Sequence, residues 1–185
     1  MRKLKLIVVN DGNADNPRHG DNLGTMVCFH NRYELGDEHG KDIEEAKAIY
    51  AKMLKQGVAL PLYLYDHGGI TMATKPFSCP WDSGQVGFIY TTKDAIRKWN
   101  QKKKTTKAMM EQAVCVLEAE VELYDKWLRG EVFGYMVKDQ FDNIIDDCWG
   151  YFGEEFARSE GEASLKWHNE NEEKEIKEAN NIMAL

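Results

Sequence analysis

The sequence predicts an α+β protein with a mainly antiparallel sheet, helices packed on one face and a charged C-terminal helix. Three observations predict it. Strand-like and helical segments are interspersed without a regular βαβ alternation. The stretch EVFGYMVKDQFDNIIDDCWGYFG, Glu131–Gly153, reads as a closing hairpin. Glu154–Asn180 is rich in charge, with Leu165 and Trp167 among its few large apolar residues. The expected organisation is a single α+β domain over residues 1–153 and a charged helical extension over 154–185.

The elements follow in order. Leu4–Val9 is a short apolar strand, and the basic MRKLKLIVVN start reads as that strand rather than as a signal peptide, since it lacks a long apolar core. Asp11–Asp21 is turn-rich, and Thr25–His30 is a second strand. Asp42 caps a helix to Gln56, with Ile43, Ala46, Ile49, Tyr50, Met53 and Leu54 at helical spacing and Gly57 as its C′ residue. Val58–Tyr65 is a strand whose Pro61 places it at an edge or near its start. Gln85–Thr91 is the next strand. Thr91 or Thr92 caps a helix over Lys93–Trp99, and a basic linker follows. Thr105 or Thr106 opens the longest helix, which runs to Leu128 and closes at Gly130. Met109, Ala113, Val116, Leu117, Val121, Tyr124 and Leu128 form its apolar stripe, interrupted by Glu120.

Composition excludes several classes. Hydrophobic residues make 43% of 185, enough for a core and against intrinsic disorder. No apolar run nears the roughly 20 residues of a membrane span, so a cytoplasmic protein is expected. Cys28, Cys79, Cys115 and Cys148 form no CxxC pair, which argues against zinc-ribbon and redox motifs. Cys115, between two valines, reads as a core residue. Charge is uneven. Residues 1–107 hold 17 Lys/Arg against 12 Asp/Glu, a net of +5, and residues 108–185 hold 7 against 19, a net of −12. Such asymmetry steers association with a charged partner.

The richest chemistry lies in Leu60–Tyr90. Asp66 and His67 end a strand, Gly68-Gly69 turns, and Cys79, Trp81 and Asp82 precede the next strand. This candidate functional loop, with His30, would supply His–carboxylate acid–base chemistry or a metal-dependent hydrolase if its groups converged. No HxH or HExxH spacing enforces that, so no catalytic residue, metal ligand or cofactor is assigned. Asp11-x-Asn13-x-Asp15 opens like a calcium loop, but Asn16 and Asn22 stand where Gly and Glu are required. GxGxxG and GxxxxGK[ST] are absent. The candidate partner-binding residues are Arg97, Lys98, Trp99, Lys102, Lys103 and Lys104 in a basic patch, and Glu154, Glu155, Glu172 and Glu173 in the acidic segment.

DNPRHGDNLGTMVCFHNRYELGDEHG and PLYLYDHGGITMATKPFSCPWDSGQVGFIYTTKDAIRKW resemble a family of small proteins from phages and mobile elements of Firmicutes. The resemblance covers Asp15–Gly40 and Pro61–Trp99. Some proteins of that size and origin are anti-CRISPR proteins that inhibit type II-A Cas9. It therefore implies a non-enzymatic inhibitor of a host defence nuclease, with Cas9 and its guide RNA as candidate target, acting in the host cytosol with contact to nucleic acid in the complex. The alternative expectation is a small metal-dependent hydrolase or phosphoesterase using Asp66, His67 and Asp82.

Overall fold

The computed structural model describes residues 2–40 and 42–183, with side chains through Glu178. The fold is α+β, and both of its sheets are antiparallel. The chain divides into two compact units. One combines residues 1–15 with 130–185, and the other is residues 16–129. The division expected after residue 153 therefore falls elsewhere.

In the discontinuous unit, β1 (Lys5–Asn10), β6 (Val132–Lys138) and β7 (Ile144–Phe152) form a sheet in the order β1-β6-β7. The hairpin turn is built by Asp139, whose Oδ1 accepts from Phe141 N at 2.8 Å and Asn143 N at 3.0 Å. The C-terminal segment is one helix, α4 (Glu154–Met183), and it packs on all three strands rather than extending from the domain. Large apolar side chains are not what seats it. Ala157 is fully buried, and four residues on, Gly161 is also buried. A Cβ at Gly161 would collide with Leu6 and Tyr135, so the absence of a side chain sets the helix-to-sheet approach. Trp167, one of the few large apolar residues of this segment, is 59% exposed.

In the continuous unit, β2 (Thr25–Cys28), β3 (Gly57–Asp66), β4 (Ile70–Ala73) and β5 (Ser83–Thr92) pair in the order β2-β5-β3-β4. The strand β4 is absent from the sequence-based expectation, because four residues of ITMA give too short a period to read. It pairs with β3 only from Tyr63 to Asp66. Pro61 therefore lies where that side of β3 is open, as a residue without an N–H requires.

Helices take both faces of this sheet rather than one. On one face, α3 (Lys107–Leu128) places Met109, Ala113, Leu117, Val121 and Tyr124 against Met26, Leu62, Leu64 and Ile89. On the other, α1 (Ile43–Gln56) places Ala46 against Val27 and Phe88. Successive strand residues point to opposite faces, so Met26 and Val27 join different clusters. The α1 contact is narrower than its periodicity suggests. Ile43 and Leu54 are about half exposed, at 48% and 53%. Gly57 is needed for space and not for a left-handed turn. Its backbone is extended at φ −171°, and a Cβ there would strike the Thr91 carbonyl.

Cys115 lies on the exposed side of α3, about 200° around the helix from Ala113, and the core cysteine is Cys28. Burial, with the Asp37 carboxylate nearby, pushes the Cys28 thiol up to about 12.

Candidate functional site

The end of β3 and the start of β5 bring the loop residues together. Tyr65 pairs with Ser83, and Asp66 N donates to Asp82 O at 2.8 Å. Gly68, at φ +72°, turns the chain into β4. Across this end, His67 Nδ1 lies 3.2 Å from Asp82 Oδ2, and Cys79 Sγ lies 3.6 Å from the same oxygen. Ser83 Oγ donates to the Cys79 carbonyl, which ties the loop to the strand. Tyr65 stacks on His67 and packs against Phe77, with centroids 6.0 and 5.7 Å apart. Trp81 stands out of this braced loop with 91% of its surface exposed. Asp66, Trp81 and Asp82 line one open hollow together with His30 and Gln85.

The two carboxylates have separate partners. Asp66 Oδ2 accepts from Tyr33 OH at 3.1 Å and pairs with Arg32 Nη1 at 3.3 Å. Partial burial and this bond to Asp66 hold the Tyr33 hydroxyl above its ordinary pKa. His30 Nδ1 in turn accepts from the Arg32 and Tyr33 amides, both at 3.2 Å, and its ring stacks on Tyr33. Arg32 and Tyr33 were missed at the sequence level. Their only signal is the HNRY run after a strand, which has no motif spacing.

The chemistry available here is limited by these contacts. Asp82 can orient the His67 imidazole, as a carboxylate does in an acid–base pair. The Cys79 thiol faces that same carboxylate rather than the imidazole, so the pair activates no nucleophile in this geometry. Among the described residues, no group of three or more His, Cys, Asp and Glu side chains is arranged to hold a metal ion.

A second surface is the corner between α2 (Lys93–Trp99) and α3. Arg97, Lys98, Lys102 and Lys103 line one hollow, and Arg97, Lys103 and Lys104 line its neighbour. Trp99 is 45% exposed and borders a third hollow with Asp21 and Asn22. The sequence patch is therefore a spatial one.

The acidic candidates divide. Glu154 pairs with Arg158 at 2.6 Å and remains half exposed, and Glu155 and Glu173 are exposed. Glu172 is not on a solvated face. It accepts from Arg2 N at 2.8 Å and Arg2 Nε at 3.3 Å, and only 12% of its side chain is exposed. These bonds hold its carboxyl below the usual range, the Arg2 amide most strongly. Acidity also sorts by unit. The discontinuous unit has 8 Lys/Arg and 16 Asp/Glu, a net of −8, while residues 16–129 hold 16 and 15, a net of +1.

What the fold and these surfaces define is an α+β protein in two units, with one aromatic-tipped loop and two surfaces of opposite charge. Compared with known proteins, the chain matches no family model, no curated protein and no solved structure. No described helix is long and apolar enough to cross a membrane.

Proposed function

We propose that the protein is a non-enzymatic binding protein that blocks a host defence nuclease, with Cas9 and its guide RNA as the candidate target and the host cytoplasm as its place of action. The observation that carries this reading is the concentration of acid in one compact unit, a net of −8. Exposed Glu155, Glu162, Glu173 and Glu175 on α4 offer that charge to a basic nucleic-acid channel. The motif resemblance to mobile-element proteins supplies the choice of target.

The test is binding to the Cas9–guide complex across a salt series. Attraction between exposed charges is screened over about 8 Å at physiological ionic strength, so association slows as salt rises. Changing those four glutamates to lysine slows association more than it speeds dissociation, because steering acts on the encounter. No binding at low salt removes the proposed target.

The 3.2 Å contact between His67 and Asp82 favours the hydrolase as a second reading. Metal-dependent cleavage of nucleic acid that disappears in His67→Ala would establish it in place of the inhibitor.

A further inference from the structure

We infer that the α2–α3 corner is a binding surface for single-stranded nucleic acid, gripped through its phosphates and stacked on Trp99. The inference rests on this corner alone and does not require the inhibitor reading.

Charge comes first. Residues 93–107 contain seven Lys/Arg and one acid, Asp94. Asp94 is already paired with Arg97, and Lys107 is paired with Glu111 at 3.6 Å. Among the described residues, Lys98, Lys102, Lys103 and Lys104 have no carboxylate partner, and all four are exposed. Such a group of ammonium ions repels itself unless an anion joins it. The two hollows share Arg97 and Lys103 as a common wall, so they adjoin. Adjoining cationic hollows match consecutive phosphates on one strand better than a single isolated anion.

The backbone beneath the cations is fixed. Lys102 N donates to Arg97 O at 2.9 Å and Gln101 N to Lys98 O at 3.0 Å. That is the paired closure of a helix C-terminus, with Gln101 in the left-handed position at φ +54°. On the other side, Thr106 caps α3 by accepting from Met109 N at 3.3 Å. The first turn of α3, through Thr106, Lys107 and Met110, borders the hollow that Lys93 and Lys104 also line, and a helix N-terminus adds positive potential to its surroundings. A run of lysines held between two capped helix ends loses less freedom on binding than one on a loose linker.

The third hollow distinguishes nucleic acid from an acidic protein. Trp99 and Lys98 border it, and Lys98 also borders the first cationic hollow. A half-exposed indole beside a phosphate site is a platform for a base, and every base has a face to stack. Exposed Asp21 on the same rim can accept from a base amino group. Single strands offer such free base faces, whereas a duplex offers only its backbone. The overall charge of −7 does not oppose this, since charges beyond about 8 Å are screened at physiological salt.

The test is fluorescence anisotropy of the full chain with a labelled 15-nucleotide oligo-dT, without any nuclease. With three or four phosphates neutralised, affinity falls about 20- to 50-fold between 50 and 200 mM salt. Lys102→Gln, Lys103→Gln and Lys104→Gln together flatten that salt dependence. Trp99→Ala weakens binding about tenfold with the salt slope unchanged, which a loss of charge alone does not produce. Circular dichroism confirms that each variant is folded, and Lys98→Gln provides a milder change in the same direction. No binding at 50 mM salt, or equal binding by the triple variant, overturns the inference. Equal capture of polyglutamate would identify an acidic protein as the partner, and preference for duplex DNA would overturn the stacking. Oligonucleotide binding without nuclease inhibition contradicts the function proposed above and leaves this inference standing.

Discussion

Arg18 Nη1 lies 2.9 Å from Glu120 Oε2 in the interior of the continuous unit, 102 residues apart in sequence. Only 3% of the Arg18 side chain is exposed. The same guanidinium forks onto Asp37 at 3.0 and 2.7 Å and donates to Gly24 O at 2.7 Å. Glu120 also accepts from Leu23 N at 2.7 Å, and Asp37 from Met26 N at 2.7 Å. One guanidinium thus serves two carboxylates, and backbone amides donate to both of them, so each charged group has the hydrogen-bond partners that burial demands. The 3₁₀ turn Pro17–His19, capped by Asn16, sets Arg18 in place.

Removing Arg18 leaves the Asp37 and Glu120 carboxylates without their cation, whereas removing Glu120 leaves Arg18 still forked onto Asp37. Arg18→Ala costs about 3–5 kcal/mol and Glu120→Ala less, measured by urea unfolding. The double variant costs much less than their sum, which a double-mutant cycle detects. Additive losses would mean that the two side chains do not act together.

Gln101 occupies a left-handed conformation that glycine adopts freely. Gln101→Gly therefore changes stability little or raises it, by up to about 1 kcal/mol, despite the added freedom of the unfolded chain. A loss above about 1 kcal/mol would show that the Gln101 side chain contributes to the turn.

Cys28 is buried with its thiol pushed up to about 12, whereas Cys115 and Cys148 are exposed. A thiol-reactive dye at pH 8 labels Cys115 and Cys148 in the native protein and reaches Cys28 only after unfolding. Rapid native labelling of Cys28, read by peptide mass, contradicts the packing described here.

The hairpin turn carries a pH dependence. Asn143 Nδ2 most strongly, with the Phe141 and Asn143 amides, holds the Asp139 carboxyl below its usual value. A lowered carboxyl adds stability above the unfolded value of about 3.9, and that stability is lost as pH falls through the lower folded value. Asp139→Asn lowers the melting temperature at pH 7 and flattens its decline below pH 4. An unchanged acid limb would show that the turn does not hold the charged form.

Much of this was legible in the sequence. Asp42, Thr92 and Thr106 cap their helices as their positions suggest. A strand–loop–strand reading expects Asp66, His67, Trp81 and Asp82 to meet, and Asp66, Trp81 and Asp82 line one hollow with His67 against Asp82; the basic patch is local in sequence. Glu120 was visible as a break in an apolar stripe, but its partner Arg18 was not, since an ion pair over such a separation leaves no spacing. The α4 contact was illegible for a related reason. Ala157 and Gly161 seat the helix by being small, and small residues carry no hydrophobic signal. Arg32 and Tyr33 reach Asp66 only through the path of the chain after β2.

If the protein blocks a nuclease stoichiometrically, as proposed, its titration into Cas9–guide RNA cleavage at low salt gives inhibition that saturates near one protein per nuclease, weakens as salt rises, and persists in His67→Ala. Undiminished cleavage at low salt with excess protein would contradict it.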